Sequence, residues 1–129
     1  MEASEKGLPE AQIALGERYL IGIDVLQDYS RAEQLLWRGV EGGFHTPDPG
    51  LTALVGNALL SLGTIYAEGR GNSVNLVEAY KCFNLSASLG NVEAKEERAR
   101  VEEKMSTEEV VEAQRRSEVW ATTQRRELQ

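Results

Sequence analysis

The sequence predicts an all-α protein: a short α-solenoid of stacked helix–turn–helix units with a C-terminal capping helix. Three observations carry this prediction. Apolar and small residues recur at helical spacing along most of the chain. One set of them appears twice at a constant offset of 47, from Ala11 to Ala58. The pattern then fades into polar residues and is followed by one more amphipathic stretch, which is how a repeat array ends.

The first copy reads Ala11, Leu15, Gly16, Tyr19, Gly22, Ala32 and Gly43; the second reads Ala58, Leu62, Gly63, Tyr66, Gly69, Ala79 and Gly90. Leu36 with Phe83 and Val40 with Ala87 agree in character. Within each copy the Ala, Leu, Gly and Tyr fall on one helix face. A mid-helix glycine costs about 1 kcal/mol relative to alanine, so Gly16 and Gly63 are expected where a second helix approaches closely. Gly22 and Gly69 follow the end of the apolar stripe and suit a left-handed C-terminus. Asp28 and Asn75 then offer N-cap side chains, and Glu78 lies at capping-box distance from Asn75. A second helix follows through Ala32, Leu35, Leu36 and Val40, or through Ala79, Cys82, Phe83 and Ala87, and closes at Gly43 or Gly90. Residues 11–43 and 58–90 are therefore read as two repeats.

Between them, residues 44–57 are expected as an inserted loop, because Pro47, Pro49 and Gly50 interrupt any helix there. Leu51 to Val55 could extend the following helix backwards. Upstream, Gly7 to Ala11 has the look of a junction between units, and Met1 to Lys6 of the end of an earlier helix. Downstream, residues 91–129 form a degenerate half repeat and capping helix. Arg98, Ala99 and Glu102 stand where Leu, Gly and Tyr are due. Ser106 to Glu109 is a capping box opening a last helix, whose stripe runs through Val110, Ala113, Gln114, Ser117 and Trp120. The whole, 1–129, is read as one domain.

At these residues the sequence resembles the Sel-one-like repeat family, relatives of the tetratricopeptide repeat. The likeness rests on Ala11-x3-Leu15-Gly16-x2-Tyr19-x2-Gly22 with Val25, Asp28-Tyr29, Ala32, Trp37 and Gly43. It returns as Ala58-x3-Leu62-Gly63-x2-Tyr66-Ala67-Glu68-Gly69-Arg70-Gly71 with Asn75, Ala79-Tyr80 and Gly90-Asn91. Two departures are local: Ile23-Asp24 replaces the usual second glycine step, and Asn84 stands where the family often has an aromatic. The resemblance implies a tetratricopeptide-like superhelix, a protein-binding role and a bacterial source, in either cytoplasm or periplasm.

Composition narrows the partners. The net charge of −7 repels phosphate backbones and anionic headgroups, which argues against nucleic acid. No apolar run is read as approaching the roughly 20 residues that span a bilayer, so membrane insertion is not expected. The first ten residues carry no visible signal peptide. The single cysteine leaves the fold without an internal disulfide.

Little in the chain suggests catalysis, and no catalytic, cofactor or metal residues are assigned. His45 is read as a solvated loop residue and Cys82 as a core residue. Gly69-Arg70-Gly71 lacks the lysine and hydroxyl residue of a phosphate loop. Adjacent glutamates such as Glu96-Glu97 point about 100° apart on a helix and read as solvated faces. A hydrolase would need convergent polar groups that this chain does not offer.

What remains is an interaction module, an adaptor or scaffold without enzyme activity. Stacked helix pairs have a concave side, and in the family the first helix of each pair lines it. The candidate protein-binding residues on that side are Ile13, Glu17, Leu20, Ile21, Leu60, Thr64, Glu68, Glu96, Arg100 and Glu103, with Ala67 beside them. Apolar residues among carboxylates suit a basic or amphipathic peptide. Alternatives are an immunity or inhibitor protein for one enzyme, or self-assembly through an apolar N-terminal edge near Ile13 and Leu15.

Overall fold

The computed structural model describes residues 7–71 and 73–128, with side chains to residue 124. Met1 to Lys6 lie outside the described residues. Six helices follow one another among these: α1 Pro9–Ile21, α2 Tyr29–Gly43, α3 Pro49–Glu68, α4 Leu76–Ser88, α5 Val92–Glu102 and α6 Thr107–Leu128. The described residues contain no strand.

The two repeats are built by the same local chemistry. α1 ends at Gly22 (φ 87) and α3 at Gly69 (φ 69), both left-handed. The Asp28 side chain then accepts from the N–H of Arg31, and Asn75 from that of Glu78, opening α2 and α4. In both units the cap residue's own N–H donates to the carbonyl of the repeat tyrosine at 2.9 Å, Asp28 to Tyr19 and Asn75 to Tyr66. Each inter-helix turn is thereby pinned to the last turn of the helix before it. Ser106 and Glu109 complete a reciprocal capping box at the start of α6.

Within each unit the helices touch through glycine. A Cβ on Gly16 would lie 2.9 Å from Leu36, and one on Gly63 only 2.4 Å from the Phe83 ring. Besides its own partner α4, α3 packs against α2 and α1 of the first unit and α5 of the third. The core holds Leu36, Val40, Val55, Leu59, Leu62, Ile65 and Cys82. Burial pushes the Cys82 thiol well above its ordinary pKa, which suits a packing role and keeps it a poor nucleophile.

Two expectations need correction. Residues 44–57 are not a loop throughout: the connection ends at Asp48, and α3 begins at Pro49. Asp48 caps it by accepting from Gly50 N–H, and proline fits the first turn, where no N–H partner exists anyway. The helix so lengthened carries no charge from Pro49 to Ala67. It is therefore long and apolar enough to cross a bilayer, contrary to the reading of apolar runs. Its place at the centre of the array explains that composition. The second helix does close at Gly43, its last residue, and Val55 occupies the space beside it, 2.8 Å from where a Cβ would be.

The degenerate third unit is internally consistent. Ala94 is as buried as its counterpart Ala58. Arg98, in the leucine position, donates to Asn84 at 2.7 Å. Asn84 is the residue that departs from the family's aromatic preference, so the two departures compensate each other.

α6 does not enter the groove on the first-helix side. It packs along α4 and reaches back to α2, where Trp120 lies 5.8 Å from Trp37 and edge-on to Phe44 at 4.9 Å. His45, expected in solvent, is half-buried there, with Nε2 3.1 Å from the Ala121 carbonyl oxygen and its ring edge-on to Phe44. The loop histidine is thus part of the seam that holds α6.

Candidate functional site

The first helices leave a pocket of about 230 Å3 between α1, α3 and α5, lined by Leu20, Leu60, Ser61, Thr64, Ile65, Arg70 and Glu93. Its floor is apolar because Leu20 and Leu60 turn only part of their surface to the core clusters beneath. Its walls are polar. Ser61 donates to Glu17 at 3.0 Å across the α1–α3 seam, and Arg70 pairs with Glu68 at 2.6 Å on the rim. Thr64 spends its hydroxyl proton on the Leu60 carbonyl, which leaves its methyl group and oxygen lone pairs for other contacts.

Glu17 sits half-buried in that seam, and burial raises its carboxyl pKa, opposed by the Ser61 hydrogen bond. Glu93 is exposed in the first turn of α5. Glu96, Glu97 and Arg100 follow it at spacings of three, four and seven and so share its face of the helix. Arg100 and Glu97 pair with each other.

Of the residues assigned to this side from sequence, the structure brings Leu20, Leu60 and Thr64 into one pocket and places Glu17 and Glu68 at its edge. Ile21 is exposed beside the end of α1. Glu96, Arg100 and Glu103 are exposed on and just after α5. Ala67 instead packs against the cluster around Tyr80 and Phe83. Ile13 is a correction: it is 3% exposed, driven into the notch that Gly39 leaves on α2, where a Cβ would meet it at 2.4 Å. It is core, and the apolar edge invoked for self-assembly loses its main residue. Ser61, Ile65, Arg70 and Glu93 were missed. Arg70 belongs to the turn and Glu93 to the next unit, and only the stacking of units brings them to this pocket.

The opposite side of α3 is tied to the second helices. The Tyr66 hydroxyl donates to Glu33 at 2.5 Å and accepts from the Trp37 indole N–H at 2.9 Å. Burial, then the bond to Glu33, holds its pKa well above the ordinary phenol value. Among the described residues no group of three or more His, Cys, Asp or Glu is placed to hold a metal.

The Sel1 repeat family model matches residues 9–43 and 56–91. The chain belongs to the Sel1 repeat family. The stretch between the two matches holds the connection and the first turns of α3, the part that lengthens one unit relative to the other. Among solved structures, a protective antigen from uropathogenic Escherichia coli strains displaying an SLR fold is similar at 27% identity and TM-score 0.76, over 95% of this chain and 26% of that one. A Sel1 repeat protein from Oxalobacter formigenes is similar at 29% identity and TM-score 0.58, over 78% of this chain and 68% of that one. The DAP3-binding cell death enhancer 1 of Mus musculus is 33% identical over 95 residues, which are 74% of this chain and 16% of the mouse protein. The chain thus spans about a sixth of the mouse relative and a quarter of the E. coli antigen. The likeness covers mammalian and bacterial proteins alike and does not fix a source. Sel1 repeats are in general non-catalytic helical scaffolds, and membership suggests a protein-interaction module.

Proposed function

We propose that this Sel1 repeat pair is an interaction module without enzyme activity, taking a segment of another protein in the groove on its concave, first-helix side. The observation that carries the reading is the division of the two faces. The long C-terminal helix covers α4 and part of α2, while the pocket between α1, α3 and α5 remains open. An apolar floor with Glu93 in its wall, Glu17 at its edge and the Arg70–Glu68 pair on its rim carries more carboxylates than cations and, on a chain of net charge −7, suits an apolar anchor flanked by basic residues. Glu96, Arg100 and Glu103 would extend that contact along α5. The name of the mouse relative describes a protein that binds DAP3, in keeping with a protein-binding role for this chain, although the matched part is a small share of that protein.

Affinity capture with the wild type beside Leu20→Arg/Leu60→Arg tests the reading, with a thermal melt of each to confirm folding. Because both leucines also touch the core, Thr64→Arg serves as a second groove variant. Loss of the captured partner from folded variants supports the groove. A partner retained equally by all three proteins removes it.

A further inference from the structure

The cleft between α4 and α6 lies on the face away from the groove and has the opposite charge. It measures about 350 Å3 and is lined by Glu78, Lys81, Arg115, Arg116, Val119, Trp120 and Thr123. Its lining has three cations and one carboxylate, and with Glu112, which holds both arginines, the cluster still keeps one positive charge in excess on a chain whose net charge is −7. The volume falls in the roughly 300–1,000 Å3 range of ligand pockets. Its apolar part is Trp120 with Val119, and Val119 is 52% exposed.

The cations are held in place. Lys81 is mostly buried, stacks 5.0 Å over the Trp37 ring and pairs with Glu78 at 2.7 Å, so it forms the inner wall. On α6, Glu112 accepts from Arg115 Nε at 3.0 Å and Nη2 at 2.7 Å, and from Arg116 Nε at 2.8 Å. Those bonds, Arg115's first, pull the Glu112 carboxyl down to about 2, so the clamp persists at any physiological pH. A guanidinium has five N–H donors. The bonds to Glu112 use two of Arg115's and one of Arg116's, and Arg116 Nη1 also faces Glu78 at 3.9 Å; the other donors, Arg115's above all, lie on well-exposed, oriented side chains.

We propose that this cleft is a second docking site, for an acidic amphipathic segment of a partner protein, whose carboxylates meet Arg115 and Arg116 while an apolar side chain rests on Trp120 and Val119. The module then has two faces of opposite preference, basic segments on the first-helix side and acidic ones here.

Of the chain's two tryptophans, Trp120 lines this cleft and Trp37 lies 5.8 Å from it, beneath Lys81. Intrinsic tryptophan emission therefore reports on it and is blind to the groove. The probe is a seven-residue peptide of leucine, glutamate and aspartate, blocked at both ends, titrated beside its amide counterpart in Gln and Asn. The acidic peptide should shift the emission saturably, with affinity falling as salt rises. Arg115→Gln/Arg116→Gln should weaken it about tenfold, as loss of charge-assisted bonds does. Val119→Asn, which removes the apolar contact without adding a charge beside the arginines, should weaken it comparably. Equal binding of the acidic and amide peptides, wild-type affinity in both variants, or no saturable shift at millimolar peptide would overturn the proposal.

Discussion

Gly63 and Phe83 are packed so that a single methyl group on the glycine would lie 2.4 Å from Cε1 of the ring and 2.6 Å from Cδ1. The ring is fully buried and has nowhere to swing. Helix propensity favours replacing this glycine, by about 1 kcal/mol for alanine, yet the packing forbids it. Gly63→Val is expected to destabilise by about 2–3 kcal/mol through overpacking, read as a lower urea midpoint at unchanged slope. A midpoint equal to wild type would mean that α3 and α4 do not meet there.

Tyr66 and Tyr19 hold the same place in their units, yet only Tyr66 bridges to the preceding unit, through Glu33 and Trp37. Tyr19 meets the exposed Arg31 at 3.2 Å. Tyr66→Phe strands the Trp37 indole and should cost about 1–3 kcal/mol, while Tyr19→Phe should cost under about 1. Equal losses in denaturant melts of the two variants would contradict the bridging role.

The buried seam at Glu17 makes stability depend on pH. Its folded pKa is raised, first by desolvation, so the folded state holds the proton more tightly than the unfolded one. The contribution favours folding below the ordinary value of about 4.5 and turns unfavourable as pH rises through the folded value. Glu17→Gln, which can still accept from Ser61, is expected to stabilise the fold at pH 7. That advantage should shrink as pH falls through the raised folded value and be gone below about 4.5. A pH-independent difference between the two proteins would rule out burial of the charge as its cause.

Trp120 fastens the far half of α6 to Trp37 and Phe44. Truncation to alanine leaves Ala121 and the His45 contact to hold that half, and should cost about 2–4 kcal/mol, near the lower part of the range for aromatic-to-alanine changes. Near-ultraviolet dichroism should lose the signal of the coupled indoles. Retention of both stability and signal would place Trp120 elsewhere.

Much of the fold was legible because the repeat supplies each element twice. Gly16 and Gly63, Asp28 and Asn75, and the two tyrosines each confirm a register that one copy alone would leave ambiguous. The start of α3 was misread because Pro49 was weighed as a breaker, although behind Asp48 it is a helix opener. Ile13 was misplaced for a different reason. Its burial depends on a notch in a different helix, at Gly39, which no periodicity within α1 reveals. The groove was half legible: Leu20, Leu60 and Thr64 follow from helix faces, whereas Arg70 and Glu93 reach it only through stacking of one unit on the next. The landing of α6 on Trp37, Phe44 and His45 was not legible, since an amphipathic stripe shows that a helix docks and not where.

The open groove is the claim on which the functional account stands, and the contacts of Trp120 test it most directly. In nuclear Overhauser spectra of the folded chain, its ring protons should show cross-peaks to Phe44 and to the Trp37 indole, with none to the methyl groups of Leu20 or Leu60. Cross-peaks from Trp120 to those leucines would put α6 in the groove, and the surface assigned to a partner would already be filled.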